Sequence, residues 1–293
     1  MKDYILKALA FNNEARVYVA NTTETVAEIV RRHEALPAAA AALGRSTTAG
    51  AIMGAMLKGD QRLTLRIEGN GPIGKIVVDA NAKGEVGGYC DHPHVHFHNT
   101  QTGKVDVRAV VGTQGTIRVV KDIGLRELFT SESAMVSGEI GEDIAYYFTV
   151  SEQVPSVVAV GVYINPENQI ESAGGFIIQL LPDASEQTIV AIEAALAQMP
   201  ATVELLHEGK TPEEILTLLA GADAQILETL PIGFHCQCSF ERFARGMIAL
   251  GEDEIRNMIA DGGAQAQCHF CNEVYEFDVP QLEILLADAK RKK

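Results

Sequence analysis

The chain has 293 residues, 47% apolar and 22% charged, so it is long enough to bury a core without disulfides and too apolar to be disordered. Its formal charge of −15 disfavours nucleic acid as a general partner, because phosphate backbones are also anionic. No apolar run reaches the roughly twenty residues of a membrane span, and residues 1–20 lack a signal-peptide pattern, so we expect a cytoplasmic protein without a membrane partner.

Residues 1–177 alternate between helical and strand-like patterns and are predicted to form an α+β core domain of β-sheets packed with helices. Residues 22–58 predict two helices, and the second is so rich in alanine and glycine that we expect it to lie buried between layers. Short β-rich runs bounded by Gly, Asn or Pro follow and indicate an antiparallel or mixed sheet system. These runs are RLTLRIEG, GKIVVDAN, GEVGGYC, TIRVV, YYFTV, SVVAVGVYI and GGFIIQLL.

The segment GNGPIGKI carries a G-x-G-x-x-G pattern at Gly69, Gly71 and Gly74, and Lys75 makes it close to a phosphate-binding loop. Both of these nucleotide-binding motifs require a helix next, whereas the following KIVVDAN predicts a strand. We therefore predict a glycine-rich hairpin turn at this position.

A run of alternating histidines, HPHVHFH, is the second pattern that resembles a ligand site. In a strand these side chains would share one face, where two imidazoles could chelate a metal ion. Pro93 favours an edge strand or a loop, and only Asp91 supplies a neighbouring carboxylate, so an exposed edge strand is the favoured interpretation. The role of the run stays open, as does that of Cys90, which we expect to be a plain buried thiol; the histidines are His92, His94, His96 and His98.

Residues 178–230 differ from the rest of the chain because they contain nine acidic residues, one basic residue and no aromatic residue. The run EQTIVAIEAALAQM has apolar residues near helical spacing. In TPEEILTLLAG, Thr211 is a predicted N-cap, Glu214 closes a capping box and Gly221 ends the helix. With few groups to pack and much like charge, the segment is predicted to be a helical acidic linker docked on its neighbours.

Residues 231–293 are predicted to form a small C-terminal domain with two short helices, a hairpin in AQCHFCNEVYEFDV and a closing helix. A unit of this size is close to the limit at which one hydrophobic core suffices, so an additional cross-link is commonly needed.

Four of the five cysteines lie in this domain, as C-x-C and C-x-x-C pairs separated by 29 residues. Zinc takes four ligands tetrahedrally, and two short chelating turns supply that geometry, so we predict one Zn²⁺ held by four thiolates. Plain buried thiols and a thioredoxin-like dithiol at CHFC are the alternatives, although a predicted strand follows CHFC. His235 and His269 adjoin the pairs and are expected outside the ligand set. The predicted ligands are Cys236, Cys238, Cys268 and Cys271.

Oxidation acts on the same residues, because each close pair can form a local disulfide. Two local disulfides do not replace zinc, since zinc connects segments thirty residues apart whereas each disulfide closes only a small loop. Structural zinc supplies about 10 to 16 kcal/mol in small domains, compared with about 5 to 15 kcal/mol for the whole stability of a typical domain. Losing it should unfold the domain and destabilise the adjacent linker, which is the behaviour of a redox switch.

The cysteine pattern resembles that of the heat shock protein 33 family, and Cys236, Cys238, Cys268 and Cys271 match the family pattern one for one. The segments SGEIGEDIAYYFTVSEQVPSVVAVGVYI and GGFIIQLLP also resemble the family's core, and the likeness extends over essentially the whole chain.

The resemblance implies a redox-regulated, ATP-independent molecular chaperone, a holdase, that is inactive when reduced and zinc-bound. Oxidation would form the Cys236–Cys238 and Cys268–Cys271 disulfides, expel zinc, and unfold the C-terminal domain and linker. The active form would be a homodimer that binds unfolding client proteins and prevents their aggregation under oxidative stress.

Two other functions remain open from the residues alone. One is a protein-binding module with a static structural zinc, and the other is a thiol oxidoreductase. Outside the cysteines, the sequence offers no convincing pair of nucleophile and base, so we expect a protein that is not an enzyme.

Overall fold

The computed structural model describes residues 2–97 and 105–291 and divides the chain into two compact units, Met1–His235 and Cys236–Lys293. The first unit contains two β-sheets with helices, and the second contains three helices and one hairpin. The predicted α+β class is therefore confirmed. Within the described ranges, no helix is both long and apolar enough to cross a bilayer.

Five strands of the first unit form an antiparallel sheet in the order β10-β1-β2-β9-β8. The turn between the first two strands has positive φ angles at Phe11, Asn12 and Asn13, and asparagine tolerates this conformation better than most residues. The sequence interpretation missed several of these strands. The strands are β1 (Tyr4–Ala10), β2 (Ala15–Asn21), β8 (Ser156–Ile164), β9 (Ile170–Leu180) and β10 (Gln225–Pro231).

Six strands form the second sheet in the order β11-β5-β4-β3-β6-β7, antiparallel except for the short parallel pair of β11 and β5. The GNGPIGKI segment joins β3 to β4, and Gly74 has φ +72, so the predicted glycine-rich hairpin is confirmed. The strands are β3 (Arg62–Gly69), β4 (Lys75–Asn81), β5 (Glu85–Cys90), β6 (Gly115–Asp122), β7 (Phe129–Ala134) and β11 (Gly233–Phe234).

Helix α1 (Thr23–His33) leads into α2 (Pro37–Ala55), which is buried along most of its length. A Cβ on Gly44 would lie 2.8 Å from Val162 of β8, and one on Gly50 would lie 2.6 Å from Val78 of β4. Since β8 and β4 belong to different sheets, the helix packs between the two layers, as its small residues predicted.

Two predictions made from the sequence are wrong. The run YYFTV is not a strand but the end of α4 (Ile140–Tyr147) and a π-helical turn, Phe148–Glu152. The described part of the histidine run, residues 92–97, is turn and loop instead of an edge strand, because its polar groups bond to the start of α2: the Pro93 carbonyl accepts from the N–H of Leu36 and His96 accepts from the N–H of Ala38. His98 lies outside the described residues. One further short helix, α3 (Val107–Val111), precedes β6.

The acidic segment forms the two predicted helices, α5 (Glu186–Gln198) and α7 (Pro212–Ala220), and two elements that were not predicted, the short helix α6 (Thr202–His207) and the strand β10. Thr211 and Glu214 form the predicted capping box of α7. Apolar residues of these helices, including Ile192, Leu206 and Ile215, pack in one cluster with residues of β1, β2 and β9. The helices therefore cover one face of the five-stranded sheet.

The second unit contains α8 (Phe240–Leu250), α9 (Glu252–Ala260), β12 (Ala264–Gln267), β13 (Val274–Phe277) and α10 (Val279–Arg291). This order of helices, hairpin and closing helix is the predicted one. Its core is small and centres on the fully buried side chains of Ile255, Phe277 and Leu282. Few apolar contacts hold this unit, so it depends strongly on any cross-link that it contains.

Candidate metal centre

The four C-terminal cysteines lie in two loops of the second unit. Cys236 and Cys238 stand in the irregular segment before α8, whose first turn is capped by the side chain of Ser239. Cys268 and Cys271 follow β12 and lie in the turn that leads to β13. Because the hairpin and the start of α8 belong to the same core, residues thirty positions apart in sequence meet at one point.

All four Sγ atoms lie within 4.8 Å of one another. The Sγ atoms of Cys236 and Cys268 are 3.6 Å apart, those of Cys238 and Cys271 are 3.3 Å apart, and all four are free thiols. A tetrahedral zinc ion about 2.3 Å from each sulfur would place the sulfurs about 3.8 Å from one another. The donor set and its spacing therefore fit a four-cysteine zinc site.

The turn of the second pair is closed by backbone hydrogen bonds. The N–H of Asn272 donates to the carbonyl of Cys268 at 2.8 Å, and the N–H of Cys268 donates to the carbonyl of Glu273 at 2.9 Å. Asn272 has φ +59, a left-handed conformation that asparagine accepts. This turn brings both thiols into the cluster, and a sequence reading could have found it from the asparagine after CHFC.

Tyr275 of β13 contacts the cluster directly, because its hydroxyl donates a hydrogen bond to Sγ of Cys238 at 3.2 Å. The sequence interpretation missed this residue, since only the folded hairpin brings β13 to the first pair. Partial burial acts to raise the pKa of Cys238, but hydrogen bonds from Tyr275 and the neighbouring thiols outweigh burial and lower it. The hydrogen bond from Tyr275 therefore favours the thiolate form of Cys238.

Two other thiols of the cluster, those of Cys236 and Cys271, have pKa values that are raised instead of lowered. Burial raises the pKa of Cys236 to about 11, and burial also raises the pKa of Cys271. A divalent cation bound by the four sulfurs would oppose this effect of burial, because it favours the deprotonated form of its thiol ligands.

Aromatic contacts connect the cluster to the small core. Phe240 stacks on Phe277 with ring centroids 4.4 Å apart, and Phe243 lies beside Tyr275 at 5.0 Å. Since Phe240 and Phe243 stand at the start of α8, the helix, the hairpin and the Tyr275 hydroxyl are one packed group. Disorder of the cysteine loops would therefore disturb the core of this unit.

The other candidate ligands from the sequence, Cys90 and the described histidines of the histidine run, belong to the first unit. Cys90 is buried at the end of β5, and burial raises its pKa to about 12, which agrees with a plain buried thiol. His96 accepts a hydrogen bond at Nδ1 from the N–H of Ala38 at 3.2 Å and so caps α2. Among residues 2–97 and 105–291, the four cysteines are the only cluster of three or more potential metal ligands, and neither His235 nor His269 belongs to it.

Comparisons with known proteins agree with this fold. The family model described as Hsp33 protein matches residues 3–278. The 33 kDa chaperonin of Bacillus licheniformis is 56% identical over 284 residues, which are 97% of this chain and 98% of that protein. The 33 kDa chaperonin of Bacillus subtilis is 55% identical over 282 residues, 96% of this chain and 97% of that protein.

The fold is also similar to a crystal structure, that of the 33 kDa chaperonin, a heat shock protein 33 homologue, of Thermotoga maritima. The TM-score is 0.91 at 33% sequence identity, and the match covers 100% of both chains. The α+β fold of this chain is thus similar over its whole length to that of a protein named as a chaperonin. The chain belongs to the Hsp33 family, and the resemblance stated from the sequence is confirmed.

Proposed function

We propose that this chain is a redox-regulated, ATP-independent holdase that is inactive when reduced and zinc-bound and active when oxidised. The observation that carries the proposal is the convergence of four free thiols, from two distant segments, within 4.8 Å of one another. Such a site can hold a metal ion when reduced and form disulfides when oxidised, so one set of atoms supports two states.

In the reduced state, the proposed ligands of one Zn²⁺ are the four cysteines. Bound zinc supplies a cross-link between two loops and keeps the sulfurs as thiolates. The Tyr275 hydroxyl holds the Cys238 sulfur in place, and the Asn272 turn fixes the second pair. The ligands are Cys236, Cys238, Cys268 and Cys271.

In the oxidised state, the proposed disulfides are Cys236–Cys238 and Cys268–Cys271. Each disulfide forms from two thiols and one molecule of hydrogen peroxide, which is reduced to two molecules of water. All four sulfurs are close in the structure, so distance does not select the pairs; the family resemblance does. Each of these disulfides lies within one loop. No covalent bond therefore connects the loop of Cys236 and Cys238 to the loop of Cys268 and Cys271.

The consequence of oxidation depends on how little else holds this part of the chain. The second unit has a small core, and α5, the first helix of the acidic segment, buries only Thr188 and Ile192, whereas buried apolar side chains hold α6 and α7 on the sheet. We propose a functional division into a core, 1–177, an acidic linker, 178–230, and a redox-switch domain, 231–293. Loss of zinc unfolds the switch domain and then the linker, and apolar surface becomes available to clients.

The proposed partners are unfolding client proteins and, in the oxidised state, a second copy of the chain. Neither nucleic acid nor membrane is a proposed partner, and the chain is proposed to act in the cytoplasm without catalysing a reaction. The acidic overall charge and the chaperone names of the relatives support this assignment.

The test compares reduced and oxidised protein in suppressing the aggregation of a thermally unfolding client, measured by light scattering. Reduced protein should contain one zinc ion and fail to protect, whereas protein treated with peroxide at mildly elevated temperature should protect. Cys268→Ser should abolish zinc binding, and Cys90→Ala is the matched control that keeps both zinc and the response. Equal protection by both redox states, or by neither, would refute the switch and favour a static zinc module.

A further inference from the structure

A short segment between the linker helices and the first cysteine pair holds the edges of both sheets of the first unit. This strap, Gln225–His235, pairs through β10 with β1 in one sheet and through β11 with β5 in the other. The His235 N–H donates to the carbonyl of Val86 at 2.8 Å, and Arg32 lies 4.7 Å from the Phe234 ring. Residues 225–230 of the strap belong to the proposed linker and residues 231–235 to the proposed switch domain, and Cys236 is the next residue.

Strand β10 is only lightly held by side chains. Residues 225–229 are exposed, and Leu230 is its one buried residue. The pairing has an irregularity between Lys7 and Ala8, and one ion pair, Lys7 to Glu228 at 2.9 Å, connects the two strands. Backbone hydrogen bonds therefore supply most of what keeps β10 on the sheet.

Strand β1 has the opposite character, because it is built into the core on both faces. Ile5 belongs to the large cluster that contains α2, whereas Leu6 and Ala8 belong to the cluster beneath the linker helices. These three side chains are at most 2% exposed. Without β10, the strand would keep its position and present a row of unpaired N–H and C=O groups.

We propose that the outer edge of β1 is a docking site for an extended segment of a client protein, which replaces β10 by backbone pairing after the strap is released. This inference rests on the proposed function, since the strap spans the junction of the linker and the switch domain and is released when both unfold. In the reduced protein, the strap thus occupies the edge of β1 that a client segment would occupy in the oxidised protein.

The contacts that β10 makes with β1 define which client segments can replace it. An incoming segment runs antiparallel to β1, with an apolar side chain at the position of Leu230, opposite Ile5. It carries an acidic or neutral residue at the position of Glu228, opposite the amine of Lys7. The remaining recognition is through main-chain groups, which every polypeptide has, so the site accepts many sequences but requires an extended chain.

This requirement selects unfolding proteins over folded ones. In folded proteins, strands are already paired or have protected edges, whereas an unfolding chain exposes extended apolar segments. An edge that recognises main chain is therefore suited to a holdase with many clients.

The experiment uses the full-length protein and a fluorescein-labelled synthetic peptide with the strap sequence QILETLP. Two further peptides each carry one N-methyl group, at Glu228 or at Thr229, where the pairing with β1 is regular and neighbouring N–H groups point to opposite edges. Methylation removes a hydrogen-bond donor from one edge of an extended peptide and leaves its side chains unchanged. Binding is measured by fluorescence anisotropy with reduced and with oxidised protein.

We expect the parent peptide to bind oxidised protein and not reduced protein, and one methylated peptide to bind at least about tenfold weaker than the other. Equal binding by both redox states, no binding by either, or equal affinity of the two methylated peptides would overturn the docking site. Client protection is measured separately in the same samples. Protection without edge-dependent peptide binding refutes this inference alone, whereas absence of protection refutes the proposed function.

Discussion

Glu14 and Ser185 form a polar anchor between the core and the start of the acidic linker. Oε2 of Glu14 accepts hydrogen bonds from the Ser185 N–H at 2.8 Å and from the Ser185 hydroxyl at 2.7 Å. The same oxygen accepts a third hydrogen bond from the Thr188 hydroxyl at 2.6 Å. One carboxylate in the turn between β1 and β2 thus fixes the first turn of α5.

Removing this anchor should loosen the linker while leaving the zinc site intact. In Glu14→Ala, the first turn of α5 loses its acceptor, so limited proteolysis of reduced protein near residue 185 should be on the order of tenfold faster. Less peroxide should then be needed for half-maximal client protection. The matched control is Glu127→Gln in the exposed loop between β6 and β7, which should behave like the unaltered protein. Unchanged proteolysis in Glu14→Ala would contradict the role of the anchor.

The same anchor predicts a dependence on pH. The hydrogen bond from Thr188, followed by those from Ser185, lowers the pKa of Glu14 from its ordinary value of 4.5. Because the folded pKa is depressed, the stabilisation is complete above pH 4.5 and is lost as the pH falls through the lowered pKa. The protection factor of α5 against hydrogen exchange, corrected for the intrinsic exchange rate at each pH, should therefore fall below pH 4.5 in the unaltered protein, and this acid-dependent step should be absent in Glu14→Ala. An equal acid response in both proteins would assign the effect to other carboxylates.

The Tyr275 hydroxyl should contribute to metal retention. Its hydrogen bond to Sγ of Cys238 stabilises the thiolate, so Tyr275→Phe should weaken zinc binding by about 10- to 100-fold, the range for such supporting contacts. Competition with a zinc chelator measures this change, with Tyr146→Phe on the exposed surface of the first unit as the control. If Tyr275→Phe retains the original zinc affinity, the contact has no influence on the metal.

Gly161 of β8 should be required for docking of α6. A Cβ at this position would lie 2.8 Å from Cβ of Val203, closer than real Cβ contacts, so Gly161→Ala should displace the helix. We expect faster hydrogen exchange in residues 202–207 and an unchanged zinc content. Gly246→Ala is the matched control, because a Cβ there meets no atom within 4 Å, and alanine in α8 should stabilise by about 0.5 to 1 kcal/mol. Normal protection of α6 in Gly161→Ala would show that the helix adjusts without undocking.

The candidate site could be predicted from the sequence because its information is local. The close spacing within each cysteine pair determines the chelating turns, and the apolar spacing and cap residues of residues 185–221 predicted the helices α5 and α7. The alanine and glycine content of α2 likewise predicted a helix between layers, since small residues are what close approach requires.

Other features depend on contacts that no local pattern contains. YYFTV has high strand propensity, but Ile140, Ile144 and Tyr147 are buried at helical spacing, and their packing decides the conformation. Strand β10 was missed because its residues are mostly exposed and its place depends on β1, more than two hundred residues away. Tyr275 and Glu14 act only on segments that the fold brings to them.

The central claim is that loss of zinc and gain of chaperone activity are one event. The most direct measurement is a peroxide titration of the full-length protein in which zinc release, detected with a chelating dye, and suppression of client aggregation are recorded in the same samples. We predict that the two curves coincide over the whole titration. We also predict that the client stays protected when a chelator removes the released zinc from solution. Complete zinc release without protection, or protection while the zinc is still bound, would contradict the account.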